Sequence, residues 1–199
     1  MCPPGPVTQV ETDAVTIHSS HPFATPEPER DPVRRFRGRM PAPVSVWAAG
    51  HGAGRTGWTL SSFFVVDGAP AEVLGVLDED SALAERLIAA VPATDRSFTV
   101  NLLGWQHRGL ADAFAGVGPA PGGPFTLGRW RDADWGPVLD DAPAWLGVRL
   151  QSVPEHAGWS LLVRGSVEHV EIGSDPAEGM LAYVRGRYRA VSLEVSRPR

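Results

Sequence analysis

Thr59, Ser61 and Ser62 put three hydroxyls within four positions, beside a segment that reads as a strand. They follow a glycine-rich turn and precede Phe63-Phe64-Val65-Val66, whose aromatic and β-branched side chains suit a pleated surface. Hydroxyls at such a place are neutral donors and acceptors, suited to the polar rim of a planar heterocycle or to a phosphate. The same residues would serve equally well as ordinary members of an edge strand. Just upstream, Gly52-Ala53-Gly54-Arg55-Thr56-Gly57 spells GxGxxG. The dinucleotide fingerprint requires a helix to open at those glycines. Here Thr, Ser, Phe and Val follow, and Gly68 and Pro70 close the segment early, so the spacing predicts a hairpin. Asp78-Glu79-Asp80-Ser81 leads into a helix predicted over 82–91, with Leu83, Leu87 and Ile88 on one face. Its first amides offer an anion site. The acids there also read as simple caps, and three carboxylates would repel a phosphate unless an arginine offsets them. No GxSxG elbow, HExxH helix or EF-hand loop is present.

Composition narrows the chemistry further. The chain has 199 residues, 43% of them apolar, enough for one domain with a sizeable core. Its net charge of −5 argues against a broad nucleic-acid footprint. All 18 basic residues are arginine, which excludes a Schiff-base or P-loop lysine. The single cysteine, Cys2, excludes a disulfide framework and a cysteine-rich metal site. No apolar run reaches the roughly 20 residues a membrane span needs, and no basic flank precedes an apolar core as in a signal peptide. The default expectation is a cytoplasmic protein with no nucleic-acid or membrane partner.

Residues 1–30 are rich in Pro, Thr and Ser and read as a loosely attached extension; the prolines argue against a helical metal pair at His18 and His21. Residues 31–199 form the domain. Asp31-Pro32 predicts a helix start, with the helix running over 33–40. Strands are predicted over 44–49, 63–66, 73–77, 96–103, 144–153, 159–172, 180–184 and 188–191. A second inserted helix is predicted over 105–115, with Leu110, Ala111 and Phe114 facing inward. Trp130 and Trp135 are expected to flank a polar loop. Hairpins dominate, so the fold class is mainly β: an antiparallel barrel with two inserted helices.

In this order the motifs resemble the flavin reductase-like, FMN-binding split-barrel family. Gly57-Trp58-Thr59-Leu60-Ser61-Ser62-Phe63 looks like its Gly-x-Thr-x-Ser-Ser-Phe signature, and Phe98-Thr99-Val100-Asn101-Leu102-Leu103 resembles its Phe-x-Val-Asn-x-Leu strand. Phe36-Arg37, Asp80-Ser81, Gln106, Leu110-Ala111, Phe114-Ala115, Pro137-x-Leu139, Gly165-x-Val167 and Arg187-Tyr188 fall where that family has counterparts. The resemblance implies a six-stranded antiparallel split barrel, homodimeric, with FMN at the subunit interface. It implies hydride transfer from NADH or NADPH to flavin, often to supply a partner monooxygenase. Carried over residue by residue, Thr59, Leu60, Ser61 and Ser62 would line the flavin. Asp80, Ser81, Ala82 and Leu83 would approach its phosphate, mostly through main-chain amides, and Asn101 would sit near it on the neighbouring strand. Flavin performs the hydride chemistry itself, so the lack of an acid–base pair costs such a protein nothing.

Two departures matter. Many members carry Gly-Asp-His near the nicotinamide, where this chain reads Ala157-Gly158-Trp159. An indole stacks on nicotinamide or flavin but does not protonate as imidazole does; it also serves as filler over the flavin or at the barrel end. The family's Ser-x-Thr is Ser81-Ala82-Leu83 here, one hydroxyl short. The alternative reading is therefore an FMN-binding electron carrier or flavin-holding protein without nicotinamide-dependent activity.

Overall fold

The computed structural model describes residues 31–89 and 96–192. The expected extension over 1–30 with His18 and His21, the last two positions of the helix predicted over 82–91, and residues 193–199 lie outside the described residues. In chain order the elements are α1 (Pro32–Arg37), β1 (Ala42–Pro43), β2 (Ser45–Ala49), β3 (Thr56–Leu60), β4 (Phe63–Val66), β5 (Glu72–Asp78), α2 (Ala82–Ala89), β6 (Ser97–Leu102) and α3 (Arg108–Phe114). There follow β7 (Trp130–Ala133), β8 (Gly136–Leu139), β9 (Ala144–Leu150), β10 (Glu155–Ala157), β11 (Ser160–Ile172), β12 (Met180–Val184) and β13 (Arg187–Val191).

The fold is mainly β. One antiparallel sheet runs β3-β2-β6-β9-β11-β5-β4, with β10 paired to β11. Its two ends, β3 and β4, are successive in the chain and separated only by Ser61-Ser62, so the sheet curls until its edges face each other across that bend. The resemblance implied six strands; this sheet holds eight, because the long strand is cut at Ser61-Ser62 and the short β10 is added. The 13-residue β11 makes the curl possible. Its first half pairs with β5 and its second half with β9, with a register shift between Val167 and His169. A bulge there sharpens the local twist.

The segment spelling GxGxxG folds as expected for a hairpin. A 3-10 turn at Gly52–Gly54 feeds β3, which pairs with β2 from Thr56 opposite Ala49 to Leu60 opposite Ser45. Inside the curl, Trp47 stacks on Phe98 with ring centroids 4.9 Å apart, and Leu60, Phe63, Leu77, Leu83, Leu87 and Val163 complete the buried cluster. Gly75 is required there: a Cβ would run into the Trp47 ring. A second cluster lies on the other face of β2 and β3, where Val44, Val46, Leu110, Ala111, Phe114 and Leu181 pack beneath α3 and β12.

Local differences from expectation have identifiable causes. α1 starts as predicted, with the Asp31 carboxylate accepting from the amides of Val33 and Arg34, but stops at Arg37 rather than 40. Gly38 caps it, and the Gly38 carbonyl accepts from the Arg185 amide at 2.6 Å. The helix predicted over 105–115 begins as a 3-10 turn at Trp105–His107, where His107 Nδ1 accepts from the Gly104 amide at 3.0 Å. On α2, Leu83 and Leu87 are buried as predicted, whereas Ile88 is exposed. The polar loop expected around Trp130 and Trp135 is the β7–β8 hairpin. Gly136 and Pro137 disfavour a strand by composition; cross-sheet hydrogen bonds from Thr99 and Asn101 hold it there nonetheless.

On the outer face, Arg149 donates to both oxygens of Glu168, and Trp135 Nε1 donates to the same carboxylate at 2.7 Å. These bonds, the arginine's first, hold the Glu168 carboxyl below the ordinary carboxylate range. A depressed carboxylate stabilises the fold above its unfolded pKa and loses that contribution as pH falls through the folded value. Acidification from neutral to about pH 3 should therefore lower the melting temperature of the parent more than that of Glu168→Gln. Both partners are partly exposed, so the difference should stay within about 1 kcal/mol. Thermal melts of the two proteins across that range check it.

Candidate functional site

The bend between β3 and β4 is where the sheet leaves polar groups unspent. Ser45 Oγ donates to the Leu60 carbonyl at 3.2 Å and accepts from Trp47 Nε1 at 3.1 Å, which anchors the end of β3. The chain then crosses to β5, where the Val76 amide donates to the Ser62 carbonyl at 2.9 Å. Ser61 and Ser62 are half-buried between these anchors, and their hydroxyls make no hydrogen bond among the described residues. Because Ser45 sits opposite Leu60, Pro43 and Val44 leave the β2–β3 ladder at the same end as this bend.

The other predicted site residues are distributed differently. Thr59 points to the opposite face of β3, where its Oγ1 donates to the Ala111 carbonyl of α3 at 2.8 Å. Leu60 is buried in the inner core. Ser81 is spent as the cap of α2: its Oγ donates to the Asp78 carbonyl at 2.7 Å and accepts from the Ala84 amide at 3.1 Å. The amides of Asp80 and Ser81 are likewise engaged, by Asp78 Oδ1 and the Asp78 carbonyl. Leu83 is enclosed in the core, while Asp80 and Ala82 are exposed. No guanidinium pairs with Asp78, Glu79 or Asp80 among the described residues; Glu79 faces His156 Nδ1 at 3.5 Å. The cation that a phosphate would need at this turn is not supplied by the turn's own neighbours.

Asn101 is a correction to the expectation of a flavin neighbour. It is wholly enclosed at 0% exposure. Its Nδ2 lies within hydrogen-bond distance of the Val46 carbonyl, Thr99 Oγ1 and the Pro137 carbonyl, and its Oδ1 accepts from the Leu139 amide at 3.0 Å. It fastens β8 across β6 and β2, with no atom left on the surface.

Trp159 does not pack into the barrel end. Gly158, with φ +64°, and Trp159 form the two-residue turn between β10 and β11, and the indole is 95% exposed. The hairpin runs beside the end of β5, with Ser160 opposite Asp78. The indole tip, the acidic turn and the bend therefore share one rim of the curled sheet. Sequence reasoning found the bend, the turn and the indole. It missed that residues 42–44 border the bend; the only signal was that they precede a strand.

Residues 37–192 match the family profile described as the flavin reductase like domain. An FMN reductase (NADH) of Variovorax paradoxus, RutF, is 28% identical over 160 residues, spanning 80% of this chain and 84% of that protein. The NADH:FAD oxidoreductase SgcE6 of Streptomyces globisporus, solved with NAD and FAD fragments, superposes with a TM-score of 0.69. It is 23% identical and covers 82% of this chain and 93% of its own. The flavin reductase PheA2 gives a TM-score of 0.69 at 22% identity, over 82% of this chain and 100% of its own. With a family profile spanning most of its length and the curled antiparallel sheet of these reductases, the chain belongs to the flavin reductase-like family.

Proposed function

We propose that this protein is an NAD(P)H:flavin oxidoreductase that binds FMN against the Ser61-Ser62 bend and works as a cytoplasmic homodimer. The observation that carries the reading is the bend itself. Two half-buried hydroxyls without partners among the described residues lie between facing sheet edges, inside the segment that resembles the family signature. Such neutral groups suit the carbonyls and ring nitrogens of an isoalloxazine. When bound, flavin supplies the hydride chemistry; the chain's part is to seat the ring and hold it against the donor. Ser61 and Ser62 would meet its polar rim. The exposed Asp80 and Ala82 would border the ribityl and phosphate end, with the phosphate kept clear of the carboxylates by its solvent exposure. Trp159 would stack on an incoming ring. The relatives include an NADH-dependent FMN reductase and BorF, the flavin reductase component of a bacterial two-component tryptophan halogenase. They support NADH as the donor and a flavin-consuming oxygenase as the partner.

Anaerobic mixing of FMN-loaded protein with NADH, and separately with NADPH, should bleach the visible flavin absorbance. Failure with both nucleotides defeats the reading. The alternative, a flavin carrier without nicotinamide activity, is favoured by Trp159 standing where many relatives have histidine. It predicts flavin that dithionite reduces and neither nucleotide does.

Dimerisation is supported by the edge strand β4. Phe64, Val65 and Val66 are exposed, Phe64 at 70%, on a strand with no partner on its outer side among the described residues. Exposed apolar edges of this kind are normally covered. Phe64→Arg should convert a dimer to a monomer in sedimentation velocity and weaken FMN binding at least about tenfold, as expected when a central interface aromatic is lost. A dimer with unchanged affinity would place the interface elsewhere.

A further inference from the structure

The arginine-rich end of the molecule is not used by the chemistry above. Some guanidiniums elsewhere are matched with carboxylates, Arg55 with Asp132 at 2.8 Å, Arg149 with Glu168 at 2.7 Å and Arg164 with Glu72 at 2.7 Å, while Arg86 and Arg108 donate to backbone carbonyls. Four of those around α1 and the β12–β13 hairpin are not so matched. Arg34 and Arg37 on α1, Arg185 in the hairpin turn and Arg187 on β13 are exposed, and none forms an ion pair among the described residues. The fold brings these distant segments together, through the Arg185 amide bonded to the Gly38 carbonyl at 2.6 Å and Ala42 paired with Tyr183. With Arg35 and Arg189, six of the 18 basic residues gather in a chain whose net charge is −5. Large apolar side chains are interleaved. α1 buries none of its residues, and Val33, Phe36, Met40 and Tyr183 are all exposed.

Unmatched guanidiniums around exposed apolar groups suit a compact acidic face with an apolar centre. An extended polyanion fits less well. Beyond the patch it would run over the negative remainder of the chain, within reach of a Debye length of about 8–10 Å. The location is informative too. β1 continues into β2, whose Ser45 pairs with Leu60, so the arginine end borders the Ser61-Ser62 bend. We propose that α1 and the β12–β13 hairpin form a docking face for the acidic surface of the protein that consumes the reduced flavin. This rests on the reductase reading, and it places the handover at a charge-steered contact rather than in free solution.

The test uses the full chain and a fluorescein-labelled oligoglutamate peptide as probe, followed by anisotropy. The triple variant Arg34→Glu/Arg37→Glu/Arg187→Glu should bind at least about tenfold more weakly, and so should the parent when salt is raised from about 50 to 300 mM. Arg129→Glu, an exposed arginine before β7, should bind like the parent. Circular dichroism checks the fold, and the milder triple Arg→Gln variant repeats the test if the charge reversals fail to fold. Equal binding by parent and variant overturns the proposal. So does tighter binding of the parent to single-stranded RNA or phosphatidylglycerol vesicles than to the peptide. NADH-driven reduction of FMN is measured on the same proteins. If the parent reduces no flavin, the reductase reading fails while the anisotropy still decides the docking face.

Discussion

Asn101→Ala is expected to cost about 3–5 kcal/mol of stability while leaving the flavin affinity of the surviving folded protein unchanged. The truncation removes the acceptor for the Leu139 amide and the donor shared by the Val46 and Pro137 carbonyls. All of these lie in the core between β2, β6 and β8, where water cannot replace the lost partners. An orphaned buried group costs about 1–3 kcal/mol, and the cavity left by the amide adds to it. Asn101→Asp should be comparably damaging, because it keeps the volume but replaces the donor with a charge in a fully enclosed site. Urea unfolding measures the loss, and FMN titration of the folded fraction measures affinity. A loss below about 1 kcal/mol, or intact stability with abolished flavin binding, would return Asn101 to the ligand and overturn the structural role argued for it.

Ser61→Ala/Ser62→Ala should have the opposite signature. The two hydroxyls have no protein partner among the described residues, so their removal leaves nothing orphaned and stability should change by less than about 0.5 kcal/mol. If each hydroxyl meets the flavin, each contributes about 0.5–1.5 kcal/mol. The double variant should then bind FMN roughly 5- to 150-fold more weakly. Quenching of flavin fluorescence on titration with apoprotein reads the dissociation constant directly. An unchanged constant in a folded double variant means the bend is not the flavin's seat. Together the two experiments separate residues of one matched motif set into those that build the frame and those that face the ligand.

The family resemblance drew Thr59, Ser61, Ser62, Asn101 and Ser81 into one candidate site because each falls on a motif position that the family uses for flavin. Their types and order were readable along the chain, as was the hairpin that follows the glycines, since the β-branched and aromatic residues after Gly57 favour a strand and Gly68 and Pro70 close the segment too early for a helix. Which way each side chain points was not readable. Along β3 the alternation sends Thr59 to α3 and leaves Leu60 inside the curl, and the break in the ladder then leaves Ser61 and Ser62 uncommitted. Asn101 was placed beside the flavin by the family resemblance alone; the β7–β8 hairpin that encloses it carries Gly136 and Pro137 and reads as a loop. Trp159 looked like packing because tryptophans usually are; a two-residue turn with glycine first holds it in solvent.

Residue order alone established a mainly antiparallel domain, the absence of lysine and of a disulfide framework, and the stretch from Gly57 to Phe63 as its focus, because these depend on side-chain type and local backbone preference. The curl of the sheet, the division of the hydroxyls between core and gap, and the meeting of α1 with the last hairpin were decided by long-range pairing. Contacts between segments dozens to more than a hundred residues apart leave no local trace, since each segment's own preference is compatible with several partners and only packing selects one.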